Sequence, residues 1–233
     1  MPREPRPDVI AIDGPAASGK STLGFLLAQL LGYLYLDTGC MYRALTLAAI
    51  REGVPLDDEV ALTALADRVD LDVLPLGDES DGRQYTVLLD GQDITWELRL
   101  PEVDAAVSQV SAVAGVRARM VERQRAVGRR GRVVMVGRDI GTVVMPDAPL
   151  KLYVIATAEE RARRRLRDRR ARGHDDNDYA AILADVIRRD HIDSTREHSP
   201  LRPAADSIII DTTHRRVDEL LDEVLSLLNE VAA

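Results

Sequence analysis

The chain has 233 residues, 45% of them hydrophobic and 30% charged, with a formal net charge of −8 at pH 7. That length supports one large core or a core domain carrying an insertion, and the acidic balance argues against a general nucleic-acid binder. No apolar run approaches the length of a membrane span. The single cysteine, Cys40, excludes an internal disulfide framework and suits a reducing cytoplasm.

Met1 to Asp8 is rich in Pro and Arg but lacks an apolar stretch, so it reads as a short lead-in rather than a signal peptide. Val9-Ile10-Ala11-Ile12-Asp13 is a short β-branched apolar run, predicted as a buried strand. It enters Gly14-Pro15-Ala16-Ala17-Ser18-Gly19-Lys20-Ser21-Thr22, after which Leu23 to Leu31 is apolar at helical spacing. Strand, G-x-x-x-x-G-K-S loop and helix, in that order, make a phosphate-binding P-loop. Its backbone N–H groups converge on phosphate oxygens, and the positive end of the helix adds to the field. Lys20 is placed to reach the β- and γ-phosphates, and the Ser21 hydroxyl to ligate Mg²⁺. Lys20 and Lys151 are the only lysines in a chain whose other basic residues are all arginine. A GC-rich genome explains that bias, but the P-loop position keeps its lysine.

Gly32 is a natural helix stop. Tyr33 to Leu36 predicts a second strand, ending at Asp37-Thr38-Gly39, and Met41 to Arg51 a helix. A helix capped by Asp57 or Asp58 runs on to Val69. Leu71–Leu74, Gln84–Leu89 and Gln92–Thr95 then read as short strands, with Asp90-Gly91 as a tight hairpin turn. A small β-rich insertion over about residues 70–100 is the simplest account.

Pro101 opens a long helical stretch to about Val127, with Val103, Val107, Val110 and Val113 at three- and four-residue steps. Arg132 to Val136 is a buried strand ending at Gly137-Arg138-Asp139, and Leu150 to Ala156 is the next. A very basic helix from Ala158 to Arg172 leads into a Gly173-His174-Asp175-Asp176-Asn177 loop. A helix from Tyr179 to about Ser194, a last strand Ser207–Ile210 and a closing amphipathic helix Val217–Val231 complete the chain. There is no internal repeat and no interdomain linker. The alternation predicts an α/β fold, a five-stranded parallel sheet with helices on both faces, with ligands at the carboxyl ends of the strands.

Three of those ends carry polar clusters: the Gly14–Ser21 loop, Asp37-Thr38-Gly39 with Arg43, and Gly137-Arg138-Asp139. Arg161, Arg164 and Arg165 share one helical face, and Arg189, Asp193 and Arg196 share another. A charged face is usually just solvated, but beside a P-loop it suits phosphoryl transfer, which runs on positive charge around the γ-phosphate. Asp37-Thr38-Gly39 also matches the aspartic-protease triplet, yet that enzyme is all-β and this triplet enters a helix. No Asn-Lys-x-Asp guanine-reading motif is present, and Val133 to Asp139 fits a Walker B run poorly. A small-molecule kinase remains, with direct γ-phosphoryl transfer and no activated nucleophile.

Four stretches resemble the bacterial cytidylate kinase family. They are Ile12-Asp13-Gly14-Pro15 through Lys20-Ser21-Thr22, Leu36-Asp37-Thr38-Gly39 with Met41-Tyr42-Arg43, Gly137-Arg138-Asp139-Ile140-Gly141-Thr142-Val143-Val144, and Arg189-Asp190 through Asp193, Arg196 and Pro200-Leu201. The resemblance covers about residues 8–229, and the β-rich insertion is a further mark of the family. It implies a single P-loop kinase domain over 1–233, a monophosphate-binding region over 37–105, and a short helical lid over 158–176. It implies ATP held by Gly14 to Thr22, with Mg²⁺ at Ser21, and CMP or dCMP as acceptor. Thr38, Arg43, Ser108, Arg117, Arg138, Asp139, Arg189, Asp193 and Arg196 would line the acceptor site, Ser108 and Arg117 from one long helix. Lys20 and the lid residues Arg161, Arg164 and Arg165 would act on the phosphates.

Chemically, Asp139 suits the cytosine amino group, Arg43 and Arg138 the α-phosphate, and Asp193 a ribose hydroxyl. Two positions depart from relatives: Val136 is apolar, and Ser21 stands where some have Gly. A kinase for UMP or AMP, or a non-catalytic nucleotide-dependent switch, are the alternatives. Low aromatic content (3%) and a charged surface fit a cytoplasmic monomer with neither membrane nor nucleic-acid partner.

Overall fold

The computed structural model describes residues 6–171, 173 and 178–231; the expectations for Met1 to Pro5, and for Arg172 and the 174–177 part of the loop, lie outside the described residues. Strand β1 (Val9–Asp13) is buried at every position, as two-sided burial in a parallel sheet requires. Helix α1 (Lys20–Leu31) follows the glycine loop and stops at Gly32, whose φ of 65° is a left-handed cap. Strand β2 (Leu34–Asp37) leads into α2 (Gly39–Glu52), and α3 (Glu59–Arg68) begins where the Asp58 carboxylate accepts from Ala61 N.

The insertion is a three-stranded antiparallel sheet of β3 (Leu71–Pro75), β4 (Tyr85–Leu89) and β5 (Gln92–Asp93). Asp90 and Gly91 both have positive φ, 50° and 78°, as a type I′ hairpin demands. The expected strand through Thr95 is cut short after Asp93. The Thr95 hydroxyl takes the place of a backbone partner by accepting from Val87 N at 2.9 Å, so the chain leaves the ladder and turns.

The expected single helix from Pro101 is two, α4 (Pro101–Val110) and α5 (Ala114–Gly128). Val113 between them is extended, and Arg117 reaches back to donate to Ser111 O at 3.0 Å. The valine spacing continues across the break because both helices bury valines, but α4 packs on α2 and α5 on α3. Gly115 permits the second contact, since a Cβ there would lie 2.1 Å from Thr63 Oγ1. Ser108 and Arg117 therefore sit on different helices.

Strand β6 (Val133–Gly137) ends in a π-helical turn, Ile140–Val144, followed by β7 (Leu150–Ile155), α6 (Ala158–Ala171), α7 (Tyr179–Thr195), β8 (Ile208–Asp211) and α8 (Val217–Val231). The main sheet has order β2-β6-β1-β7-β8, every neighbouring pair parallel. Ile10, Ile12, Val134 and Val136 face a core with Leu23, Leu27, Val224 and Leu228 from α1 and α8, while Val9, Ala11, Val133 and Met135 pack on Val121 and Ile140. The alternation follows from the two-residue period of a strand. Helix α1 lies close on β6, since a Cβ on Gly24 would come within 2.5 Å of Val136 Cγ2. The ends of β1, β2 and β6 thus lie side by side at one edge of the sheet.

Candidate active site

The P-loop turns sharply at Gly14, where a Cβ would meet Val154 O at 2.1 Å. Lys20, the first residue of α1, is 6% exposed and donates to Pro15 O at 3.0 Å. Burial, with Arg138 adding repulsion, brings its ammonium down to about 7, against the pull of Asp37, Asp193 and Asp13. Ser18 Oγ is buried without a hydrogen-bond partner among the described residues. Ser21 Oγ donates to Asp37 Oδ2 at 2.9 Å. This hydroxyl and carboxylate, both hard oxygens at the edge of a phosphate cradle, fit Mg²⁺, which takes few protein ligands beside substrate phosphates. Asp37 is a residue that the sequence placed in a strand-end cluster without a role.

Helix α6 packs its arginines around the outside of the loop. Arg161 is 4% exposed; it donates to Ala156 O at 3.0 Å and to Ala16 O at 3.3 Å, and its fork grips both oxygens of Asp190 on α7. Arg164 donates to Ser18 O at 3.2 Å and to Thr212 Oγ1 and O at 2.9 and 2.6 Å. The Thr212 hydroxyl in turn donates to Ser18 O at 2.7 Å. Arg165 lies 3.4 Å from Asp185 of α7. Two of the three expected lid arginines therefore hold P-loop carbonyls. Asp190 and Thr212 join this cluster without having been expected there, although Asp190 adjoins Arg189 in one of the stretches that resemble the cytidylate kinase family.

A second cluster lies beyond the ends of β2 and β6. Arg43 donates to Leu98 O at 2.9 Å and pairs with Asp104 at 2.6 Å, and Arg189 donates to Asp104 O. Burial, then repulsion from Arg165, pushes Arg189 down to about 10. Arg138 Nε binds Asp193 Oδ2 at 2.9 Å. Burial works to raise the Asp193 carboxyl, but Arg138 and Arg196 outweigh it and hold it below the usual range. Thr38 Oγ1 donates to Val136 O at 2.9 Å, and Arg196 Nε to Ser199 O at 2.6 Å. Ser108 is half-buried on α4 and accepts from Ser111 Oγ through its carbonyl.

Arg117 and Asp139 form a buried pair at 2.5 Å, with the Arg117 guanidinium 5.3 Å from the centre of the Tyr42 ring. Arg196 and Gln124 adjoin them. Arg117 Nε, Arg196 Nη2, the Tyr42 hydroxyl and Gln124 Nε2 are all buried without a partner of hydrogen-bonding geometry among the described residues. Buried polar groups are normally satisfied, so four orphans gathered about Tyr42, Arg117 and Asp139 mark a place shaped for a polar ligand. Tyr42 and Gln124 were not expected there. Gln124 falls seven residues, two helical turns, after Arg117, a spacing that puts both on one face.

A family model described as cytidylate kinase matches residues 10–230. A cytidylate kinase of Roseiflexus castenholzii is 55% identical over 204 residues, 88% of this chain and 86% of that protein. One of Symbiobacterium thermophilum is 50% identical over 217 residues, 93% and 94% of the two chains. A crystal structure of a protein from Eubacterium ventriosum shares the fold at TM-score 0.50 and 13% identity, covering 95% of this chain and 98% of the other. A P-loop, a parallel sheet of this order, and sequence identity at this level along nearly the whole chain have one common account: the chain belongs to the cytidylate kinase family.

Proposed function

We propose that this chain transfers the γ-phosphoryl group of ATP to CMP or dCMP, giving ADP and CDP or dCDP. The observation that carries the reading is the Asp139 carboxylate, an acceptor buried beside the donors of Arg117, Arg196 and Tyr42, with Gln124 against Tyr42. Cytosine has an amino donor at N4 beside acceptors at N3 and O2, the complement of that set. Uracil turns O4 to the carboxylate and an N–H to the donors, and an unpaired buried group discriminates strongly.

In this reading the Gly14 to Thr22 backbone cradles the ATP phosphates. Arg43, Arg138 and Arg189 fork onto the acceptor α-phosphate beside Thr38. Asp193 and Ser108 serve the sugar or base edge. The attacking group is an ionised phosphate oxygen, so no general base is needed. Its lone pair attacks the γ-phosphorus while the bridging oxygen leaves with ADP, and Lys20 with Arg161, Arg164 and Arg165 stabilises the charge that shifts. Ser21 and Asp37 would hold Mg²⁺, which when bound supplies positive charge across the β- and γ-phosphates. The chain works as one kinase domain, with 37–105 as its monophosphate-binding region and 158–176 as its lid, in a cytoplasmic monomer.

The test is ADP release from ATP and Mg²⁺ with CMP, dCMP, UMP and AMP in turn. Release should be fast with CMP or dCMP and slow with the others. Equal rates for UMP or AMP would sink the cytosine reading, and release independent of any acceptor would favour a switch.

A further inference from the structure

Asp139 occupies the N-cap position of the π-helical turn Ile140–Val144, yet its side chain makes no capping hydrogen bond. The first N–H groups of a helical turn need outside acceptors, and aspartate at N-cap normally supplies one. Here another residue does so. Asp13, the last residue of β1, is 5% exposed and reaches across the sheet. Its Oδ1 accepts from Ile140 N at 2.8 Å and its Oδ2 from Gly141 N at 2.7 Å. The parallel register sets Asp13 opposite Gly137, which aims the carboxylate at the turn.

We infer that Asp13 is a positioning residue for the acceptor site: by capping the Ile140–Gly141 turn in place of Asp139, it releases the Asp139 carboxylate to face Arg117 and the cytosine edge. The inference rests on the reading of Asp139 as a base reader. Without Asp13, the two N–H groups lose their acceptor, and Asp139, at the N-cap of the same turn, is placed to fold its carboxylate back onto it. Asp13 directly precedes Gly14, so one side chain joins the end of the ATP loop to the segment that reads the acceptor.

The same carboxylate titrates within the working range. Burial, opposed by the two N–H groups, raises it to about 6, with Asp139 adding repulsion and Arg138 attraction. Lys20 from α1 and Tyr153 from β7 also feel its charge, and the stem of Lys151 from β7 runs beside Gly141. As pH falls through about 6, Asp13 gains a proton and one oxygen loses acceptor strength, so the KM for CMP should rise. The CMP phosphate titrates in the same range. The informative quantity is therefore the difference between the wild type and Asp13→Asn, which keeps the shape but cannot ionise.

The experiment measures kcat and KM for CMP, UMP and ATP across pH 5 to 8 for the wild type, Asp13→Asn, and Asp13→Ser as a second variant should the first fail to fold. The expected result is a rise in CMP KM of about tenfold or more, a CMP-over-UMP preference that shrinks by a similar factor, and an ATP KM that stays near the wild-type value. In an Asp139→Asn background, Asp13→Asn should have little further effect on that preference, because the two act through one turn. A rise in ATP KM with equal loss for CMP and UMP would make Asp13 a brace of the P-loop and overturn the inference. So would additive effects in the double variant. A wild type with no preference for CMP would instead sink the reading of Asp139 itself, whatever Asp13 does.

Discussion

Arg117 Nη2 stands 2.5 Å from Asp139 Oδ2, and the two side chains are 4% and 5% exposed. A buried ion pair costs much desolvation and is held only where other hydrogen bonds complete it. Arg117 gains one at Ser111 O and a ring contact at Tyr42, but its Nε has none. The pair is well placed to orient Asp139 and is incompletely satisfied, as a site awaiting a ligand should be.

Asp139→Ala leaves a buried guanidinium without its counter-charge and should cost about 3–5 kcal/mol of stability. Asp139→Asn also removes the counter-charge but keeps the shape and one acceptor oxygen for Arg117, so it should lose less stability and leave folded enzyme for kinetics. In that variant kcat/KM for CMP should fall by on the order of 2–4 kcal/mol in transition-state binding, and the CMP-over-UMP preference should shrink. Thermal melting checks the first outcome and steady-state kinetics the second. A folded Asp139→Asn enzyme with its full preference would remove Asp139 from base reading.

Lys20→Met should abolish transfer and leave the fold intact. The lost interaction is made to charge developing on phosphate oxygens, and one such donor is worth roughly a hundred- to a thousandfold in kcat. Without nucleotide the ammonium is buried, and among the described residues Pro15 O at 3.0 Å is its one hydrogen-bond acceptor, so its removal should not lower the melting temperature. Turnover near the wild-type value would take the P-loop lysine out of the mechanism, and a large fall in melting temperature would give it a structural task.

Much of this was legible in the chain. The apolar runs Val9–Asp13 and Val133–Gly137 lie buried in the middle of the sheet, and Gly14, Arg138 and Asp139 stand at its carboxyl edge. What escaped was tertiary. The valine spacing from Val103 to Val113 keeps one period through α4 and into the extended link before α5, and α5 goes on to bury Val116 and Val121 against different neighbours, so the pattern hides the break between the two helices. Gln124 and Asp37 are ordinary polar residues in isolation. Only the two-turn spacing from Arg117 and the neighbouring strand ends give them a place. The capping exchange between Asp13 and Asp139 joins residues 126 apart, and no local pattern reports it.

The Ser21–Asp37 contact gives a test for the metal. Mn²⁺ in place of Mg²⁺ can be followed by paramagnetic resonance with ATP bound. Asp37→Asn and Ser21→Ala should each weaken Mn²⁺ binding to the ATP complex and raise the Mg²⁺ needed for half-maximal rate. The affinity for ATP without metal should change little. If neither variant altered the Mn²⁺ affinity or spectrum, the ion would rest on phosphates and water alone.

The arginines of α6 divide by what holds them, and their variants should divide likewise. Arg161 and Arg164 are tied to Ala16 O and Ser18 O, so they shape the P-loop before any nucleotide arrives. Arg165 has an ion pair with Asp185 at 3.4 Å and is 19% exposed, so it has more freedom to turn to a phosphate. Arg165→Ala should lower kcat at nearly unchanged melting temperature. Arg161→Ala should also raise the ATP KM and lower stability, because it leaves the Asp190 carboxylate without its fork and Ala16 O without its donor. Phosphates add negative charge beside this crowded basic face, so amide exchange in Ala158–Ala171 should slow on adding ATP with CMP. Equal effects of all three substitutions on KM and melting, with exchange unchanged by nucleotide, would make α6 a fixed wall of the P-loop and deny it a part in closure.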